Sequence, residues 1–192
     1  MWLLPEVLEK PLRRRVPTTY FVNSLADWAH ESIVESEQGR RFLAAMWGVM
    51  AATPQHTYQL LTKRPEQARK WFEWLSTVPA GDVVSGPRDV WPIHDAMMTT
   101  VAPGLDAKLY ARVRLAGAAS TWPLPNVWIG ASVEDQSTAD ERIPALLELP
   151  AAVRFISAGR REGRRHGLLA RRPARAGDAA VDSARAEATA DP

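Results

Sequence analysis

The residues of this chain best suited to chemistry stand in four short groups. Asn23 and Ser24, with Asp27 and His30 just beyond, form the first; Thr62, Lys63 and Arg64 form the second. Ser132, Glu134 and Asp135 form the third, and Ser157 stands alone as the fourth. Amide, hydroxyl and carboxylate groups of this kind can hydrogen-bond an adenosine or an amino-acid group, and Lys63 or Arg64 can meet a carboxylate or a phosphate. A plainer role stays open for each of them. Asp27 and Asp135 are suited to capping helices, and Lys63 and Arg64 to standing as solvated loop charges. The expected binding set is Asn23, Ser24, Asp27, Thr62, Lys63, Arg64, Ser132 and Glu134; the catalytic residues are unknown.

Other chemistry is excluded more firmly. The chain has no cysteine, so it can build neither a disulfide framework nor an iron–sulfur cluster on its own thiolates. His30, His56, His94 and His166 form no H-x-x-x-H or H-E-x-x-H spacing, and no metal site is expected. His56 directly precedes an apolar run, which suits a structural or surface role. No phosphate-binding glycine loop and no serine nucleophile elbow is present.

Each polar group stands at the end of a run that reads as a strand: 20–24, 57–61, 126–132 and 153–157. The third, Asn126 to Ser132, is apolar nearly throughout, as a strand covered on both faces would be. Helical spacing lies between the runs. Phe42, Leu43, Met46, Trp47, Val49 and Met50 recur every three or four residues until Pro54. Pro65 stands where a first helical turn accepts proline, and Ala68, Trp71, Phe72 and Leu75 mark one face after it. Asp135 or Ser137 can cap a further helix, which Pro144 should kink or restart.

Strands alternating with helices imply a parallel sheet joined by right-handed crossovers. The expected fold is α/β: a partial (β/α) barrel over residues 1–158, with about four parallel strands and helical crossovers. Residues 79–125, rich in Pro and Gly, read as an insertion with a weak helix around Leu105 to Leu115, placed to act as a lid or a docking surface. In parallel α/β folds ligands gather at the carboxyl ends of the strands, where all four polar groups fall.

The net charge is only +2, but it is unevenly placed. From Gly159 onward there are eight arginines, no lysine and no aromatic residue. Such a tail, residues 159–192, reads first as disordered and without a strand, and only second as a cluster that touches phosphates. No apolar run is long enough to span a bilayer, and the start, Met-Trp-Leu-Leu-Pro-Glu, is not built as a signal peptide. A cytoplasmic protein without membrane attachment is expected.

Five stretches carry a family likeness: LLPEVLEKPL (3–12), YFVNSLADWAHE (20–31), ATPQHTYQLLTKRPEQ (52–67), WPLPNVWIGASVEDQSTADERIP (122–144) and LPAAVRFISA (149–158). They resemble, in order, a phage-associated family of unknown function known for a three-cysteine motif and similar to radical-S-adenosylmethionine proteins. The resemblance implies a (β/α) barrel, a [4Fe–4S] cluster on three cysteines upstream of the first stretch, and S-adenosylmethionine as its ligand. The likeness stops at Ser157-Ala158. Where that family continues Glu-Pro-Leu-Leu-Gly, this chain reads Gly159-Arg160-Arg161-Glu162-Gly163, the composition expected of a truncated or frameshifted product.

Two functional expectations follow. In the first, the chain is a fragment of a phage-type radical-S-adenosylmethionine-like protein of unknown substrate, inactive alone. In the second, it is an accessory module that binds nucleic acid through Arg13–Arg15 and the arginine-rich tail. Partners are unknown; nucleic acid or a phage-encoded protein are the candidates.

Overall fold

A computed structural model describes residues 5–22, 26–78, 91–118, 121–159 and 169–170. Four strands, β1 (Thr19–Val22), β2 (Thr57–Thr62), β3 (Val127–Val133) and β4 (Val153–Ala158), lie side by side in chain order, each parallel to the next. The register pairs Tyr20 with Tyr58, Tyr58 with Val127, and Ile129 with Arg154. A parallel sheet wound in sequence order needs each crossover to return on the same side, and right-handed crossovers put every connecting helix on one face. This is the arrangement of consecutive units of a (β/α) barrel, and the expected α/β class with four parallel strands is what forms.

The side-chain alternation records that one-sidedness. Tyr58, Leu60, Val127, Ile129 and Ala131 point into the helices and are buried. Gln59, Leu61, Trp128 and Ser132, one residue out of phase, are only half-buried, and Phe21 is 49% exposed. β3 is therefore covered on one face, not two. Val127 and Ile129, whose apolar content suggested a second buried face, lie under the helices instead. Phe155 is the exception on the open face. It is buried because it lies over Gly130, where a Cβ would come within 2.5 Å of its ring.

The crossovers are built locally. α2 (Glu31–Val34) and α3 (Glu37–Ala51) join β1 to β2, and Ser36 caps α3 by accepting from the Gly39 N–H at 3.1 Å. α4 (Pro65–Thr77) opens on Pro65 at its first turn, where the lost N–H is harmless. α7 (Gln136–Glu148) starts at Asp135, which forms a capping box with Thr138, and runs on through Pro144 as one helix. Trp28, Trp47, Trp71 and Phe72 pack edge to face and tilted behind β2, with Trp47 and Trp71 centroids 4.7 Å apart.

In its described residues the insertion is not a lid over the strand ends. Its helices α5 (Trp91–Thr100) and α6 (Ala107–Ala118) pack behind α3, together with α1 (Pro5–Arg13). Leu12, Val49, Ala52, Met97, Val101, Leu109 and Val113 form a second apolar cluster there. This explains why α3 is buried over nearly its whole circumference, although its sequence shows one apolar face: α5 lies against Gly48, whose missing Cβ would fall 2.1 Å from the Ile93 carbonyl oxygen. Asn126 then ties the layers together. Its amide nitrogen donates to the carbonyls of Met50 (3.0 Å), Thr53 (3.3 Å) and His56 (3.1 Å).

β5 (Leu169–Ala170) pairs antiparallel with β4, Leu169 opposite Ile156 and Ala170 opposite Phe155. The expectation of no strand after Ala158 is thus corrected: two apolar residues among the arginines suffice to add a bridge to the edge of β4. The expected disorder of the remaining tail concerns residues outside the described ones. No described helix is long and apolar enough to cross a membrane.

Candidate functional site

The carboxyl ends of β2 and β3 lie side by side, because Thr62 is in register with Ala131. Six of the eight expected binding residues meet there: Asp27, Thr62, Lys63, Arg64, Ser132 and Glu134. Asn23 and Ser24 lie outside the described residues.

Asp27 is the fastener of this rim. Its Oδ1 accepts from the Thr62 hydroxyl (2.6 Å) and the Ala29 N–H (3.0 Å); its Oδ2 accepts from the Lys63 N–H (3.0 Å) and the Arg64 guanidinium (3.2 Å). Four donors saturate a carboxylate, so Asp27 has no free lone pair with which to take a substrate proton. Its side chain is 14% exposed. Thr62 Oγ1 in turn accepts from the Arg64 N–H at 2.9 Å, which starts α4. Asp27 is therefore not a helix cap here. It sews the loop after β1 to the end of β2.

Glu134 is the second node. Lys63 Nζ lies 2.8 Å from its Oε1 and Arg142 Nη1 2.8 Å from its Oε2, while the Ser132 hydroxyl donates to Oε1 at 3.5 Å. The hydrogen bond from Lys63, and then the charges of Arg142 and Lys63, hold the Glu134 carboxyl below the usual carboxylate range against partial desolvation. Arg142 was not foreseen from sequence. It sits in the second turn of α7 and also donates to the Ser132 carbonyl at 2.7 Å. Only its spacing of eight residues from Glu134 could have pointed to it, and that spacing is not a recognised signal.

The remaining candidates separate from this cluster. His30 caps α2, its Nδ1 accepting from the Ser32 N–H at 3.2 Å. Asp135 caps α7, as one of its two expected roles required. His56 is 1% exposed, and its Nε2–H is shared between the Pro11 and Arg14 carbonyls, both at 3.1 Å, which pins α1 to the start of β2. Its structural role is as expected.

Three cations and two carboxylates thus leave the rim with one net positive charge. Lys63 is the most available member, with its side chain 60% exposed. It can leave Glu134 for an incoming carboxylate, because Arg142 still neutralises the glutamate. Among the described residues no free base or nucleophile stands beside it. Among the described residues no three His, Asp or Glu side chains converge as metal ligands would.

A sequentially wound parallel sheet with helical crossovers and a polar rim at its carboxyl end defines a (β/α)-type scaffold. The comparison with known families adds the particular group. Residues 1–159 match a family described as a protein of unknown function, DUF5131, and the chain belongs to that family. No curated protein and no solved structure matches the chain.

Proposed function

We propose that this chain is the strand-end binding portion of a phage-type, radical-S-adenosylmethionine-like (β/α) barrel, and that it is catalytically silent by itself. The observation that carries the reading is the exposed Lys63–Glu134 pair at the carboxyl ends of two adjacent parallel strands. An α-amino-acid group presents one carboxylate and one ammonium, and a neighbouring lysine and glutamate match both. Half-buried Leu61 and Trp128 lie on the open face of the same two strands and offer apolar surface to a purine. The sequence resemblance supplies the ligand class.

The residues present do not fit an iron–sulfur cluster. The sequence has no thiolate, and no alternative donor set converges among the described residues. What this chain does under the proposal is hold the amino-acid end of the ligand, with Lys63 on its carboxylate and Glu134 on its ammonium. Asp27 and Arg142 are positioning residues that keep the two rims in place.

Equilibrium dialysis of the full chain with labelled S-adenosylmethionine tests this. Saturable binding is expected, weakened about tenfold or more in Lys63→Ala, a change of about 1.4 kcal/mol. The same chain, incubated with the ligand and a strong reductant, should release no 5′-deoxyadenosine. Absence of saturable binding, or equal binding by Lys63→Ala, would refute the proposal.

A further inference from the structure

A second charged site lies at the opposite, amino end of the sheet. The segment after α1 and the first turns of α6 border a cleft of about 460 Å³, lined by Arg13, Arg15, Asp106, Lys108, Leu109 and Arg112. Four cations face one carboxylate. The elements that border the cleft are joined by contacts that use part of that charge. Arg13 is tied to Glu9 at 2.9 Å and lies 3.9 Å from Asp106, and Arg112 donates to the Leu12 carbonyl, which joins α6 to α1. The His56 bonds to Pro11 and Arg14 fix the backbone that carries Arg13 and Arg15.

Arg15 and Lys108 are different. Both are exposed, and neither has an ion-pair or hydrogen-bond partner among the described residues. One belongs to the segment after α1 and the other to the first turn of α6, the two elements that border the cleft. Unpaired like charges gathered in one concavity repel each other and raise the local potential, a cost that an anion removes. The kind of anion follows from the lining. A single small phosphate is normally held by converging backbone N–H groups or by a buried bidentate arginine, and here the unpaired cations are exposed and on separate walls. A membrane surface is too flat to follow a concavity. A chain of phosphates can lie along the cleft and meet the two walls in succession.

We infer that this cleft binds the phosphodiester backbone of a nucleic acid, without regard to sequence. Leu109 is the one apolar residue of the lining, so no aromatic platform reads or stacks a base. Arg15 and Lys108 make the phosphate contacts, and Arg112 fastens the two walls to each other. The site shares no residue with the strand-end rim.

Fluorescence anisotropy of the full chain with a labelled 20-nucleotide single strand tests this. The arginine-rich tail is kept in every variant, so that only the cleft changes. Binding should fall as a power of salt concentration. Arg15→Ala/Lys108→Ala should lower the magnitude of the log–log slope by about 1.4, since each single-strand phosphate contact contributes about 0.7. Affinity at low salt should drop on the order of tenfold per residue removed. Both side chains are exposed, and an unchanged circular dichroism spectrum and melting curve would show the variant to be folded. An unchanged slope in the folded double variant would overturn the inference, because the tail alone would then carry the binding. Displacement of the strand by inorganic phosphate at equal phosphate content would overturn it in favour of a small-anion site. Equal, variant-sensitive binding of phosphatidylserine vesicles would overturn it in favour of a membrane surface.

Discussion

The two faces of the sheet share the same strands and differ in everything that covers them. On one face Tyr58, Leu60, Val127 and Ile129 are sealed by α3, α4 and α7 around a tryptophan cluster. On the other, Phe21, Leu61 and Trp128 keep partial contact with water although they are as apolar as their neighbours. Hydrophobic content alone therefore does not report burial in this molecule. It reports what the backbone could pack against, and only one face has found a partner among the described residues. In a closed barrel the second face would meet side chains from the opposite wall.

The sharpest way to break this comparison is to remove one large aromatic from each face. Trp47 packs against Trp28, Trp71 and Phe72, so Trp47→Ala should cost about 3–5 kcal/mol in urea unfolding. Trp128→Ser should cost about 1 kcal/mol, and it should also reduce self-association in sedimentation velocity, because the apolar face and the outer edge of β1, uncovered and unpaired among the described residues, invite contact between chains. Equal losses of stability would mean that the open face is covered after all.

The glycines sharpen the same contrast. Gly48→Ala would press a methyl group against the backbone of Ile93, and separating α3 from α5 should cost about 2–3 kcal/mol. Gly130→Ala would first meet the far end of the Phe155 ring, which can swing into the open side, so its cost should stay below about 1 kcal/mol. Thermal unfolding of the two variants gives the ranking directly.

Tyr58 belongs to the sealed face, and its hydroxyl lies 2.7 Å from Thr53 Oγ1. Burial pushes the phenol well above its ordinary value, partly opposed by that hydrogen bond. A folded-state value above the unfolded one gives stability that is complete below about pH 10 and is lost as pH rises further. Tyr58→Phe should cost about 1 kcal/mol at neutral pH and flatten the alkaline limb of the stability curve. An alkaline limb as steep as in the parent chain would show that other groups govern it.

The smallest effect is expected at the exposed rim. Lys63→Ala should change stability by no more than about 1 kcal/mol, whatever it does to ligand binding. Glu134, held below the usual range, contributes stability that is present above its unfolded value and is lost as pH falls through its folded one. Glu134→Gln should therefore lessen acid destabilisation below about pH 4.5, as read from the urea midpoint at a series of pH values.

Much of this architecture was legible in the residues. The four strands fall within two residues of the runs read for them, because each is a short apolar stretch closed by polar or turn-forming residues. The rim was legible for the same reason: parallel strands deliver their last residues to one edge. What the sequence hid was partnership. α5 looked like part of an irregular insertion, since WPIHDAMMTT shows no clean apolar face. Its place is decided by Gly48, a residue on another helix, and no local pattern encodes that. Arg142 was missed likewise, because it reaches Glu134 by folding back from α7. β3 misled through its uniform apolarity, which describes a wall built for a second face.

The Asn126 amide has a consequence for how the chain folds. Its three carbonyl acceptors lie 70 to 76 residues earlier in the sequence. Bringing such distant points together costs on the order of 4 kcal/mol in loop entropy before any bond rewards it. One side chain then collects three acceptors in a single step, at the point where α3 ends and both β2 and β3 begin. Contacts of this span govern folding speed more than they govern final stability. Asn126→Ala should slow refolding in stopped-flow mixing if the clamp closes before the rate-limiting step, and should chiefly speed unfolding if it closes after. The molecule thus carries, in one residue, a reporter of whether its two central strands pair before or after the helices between them have packed.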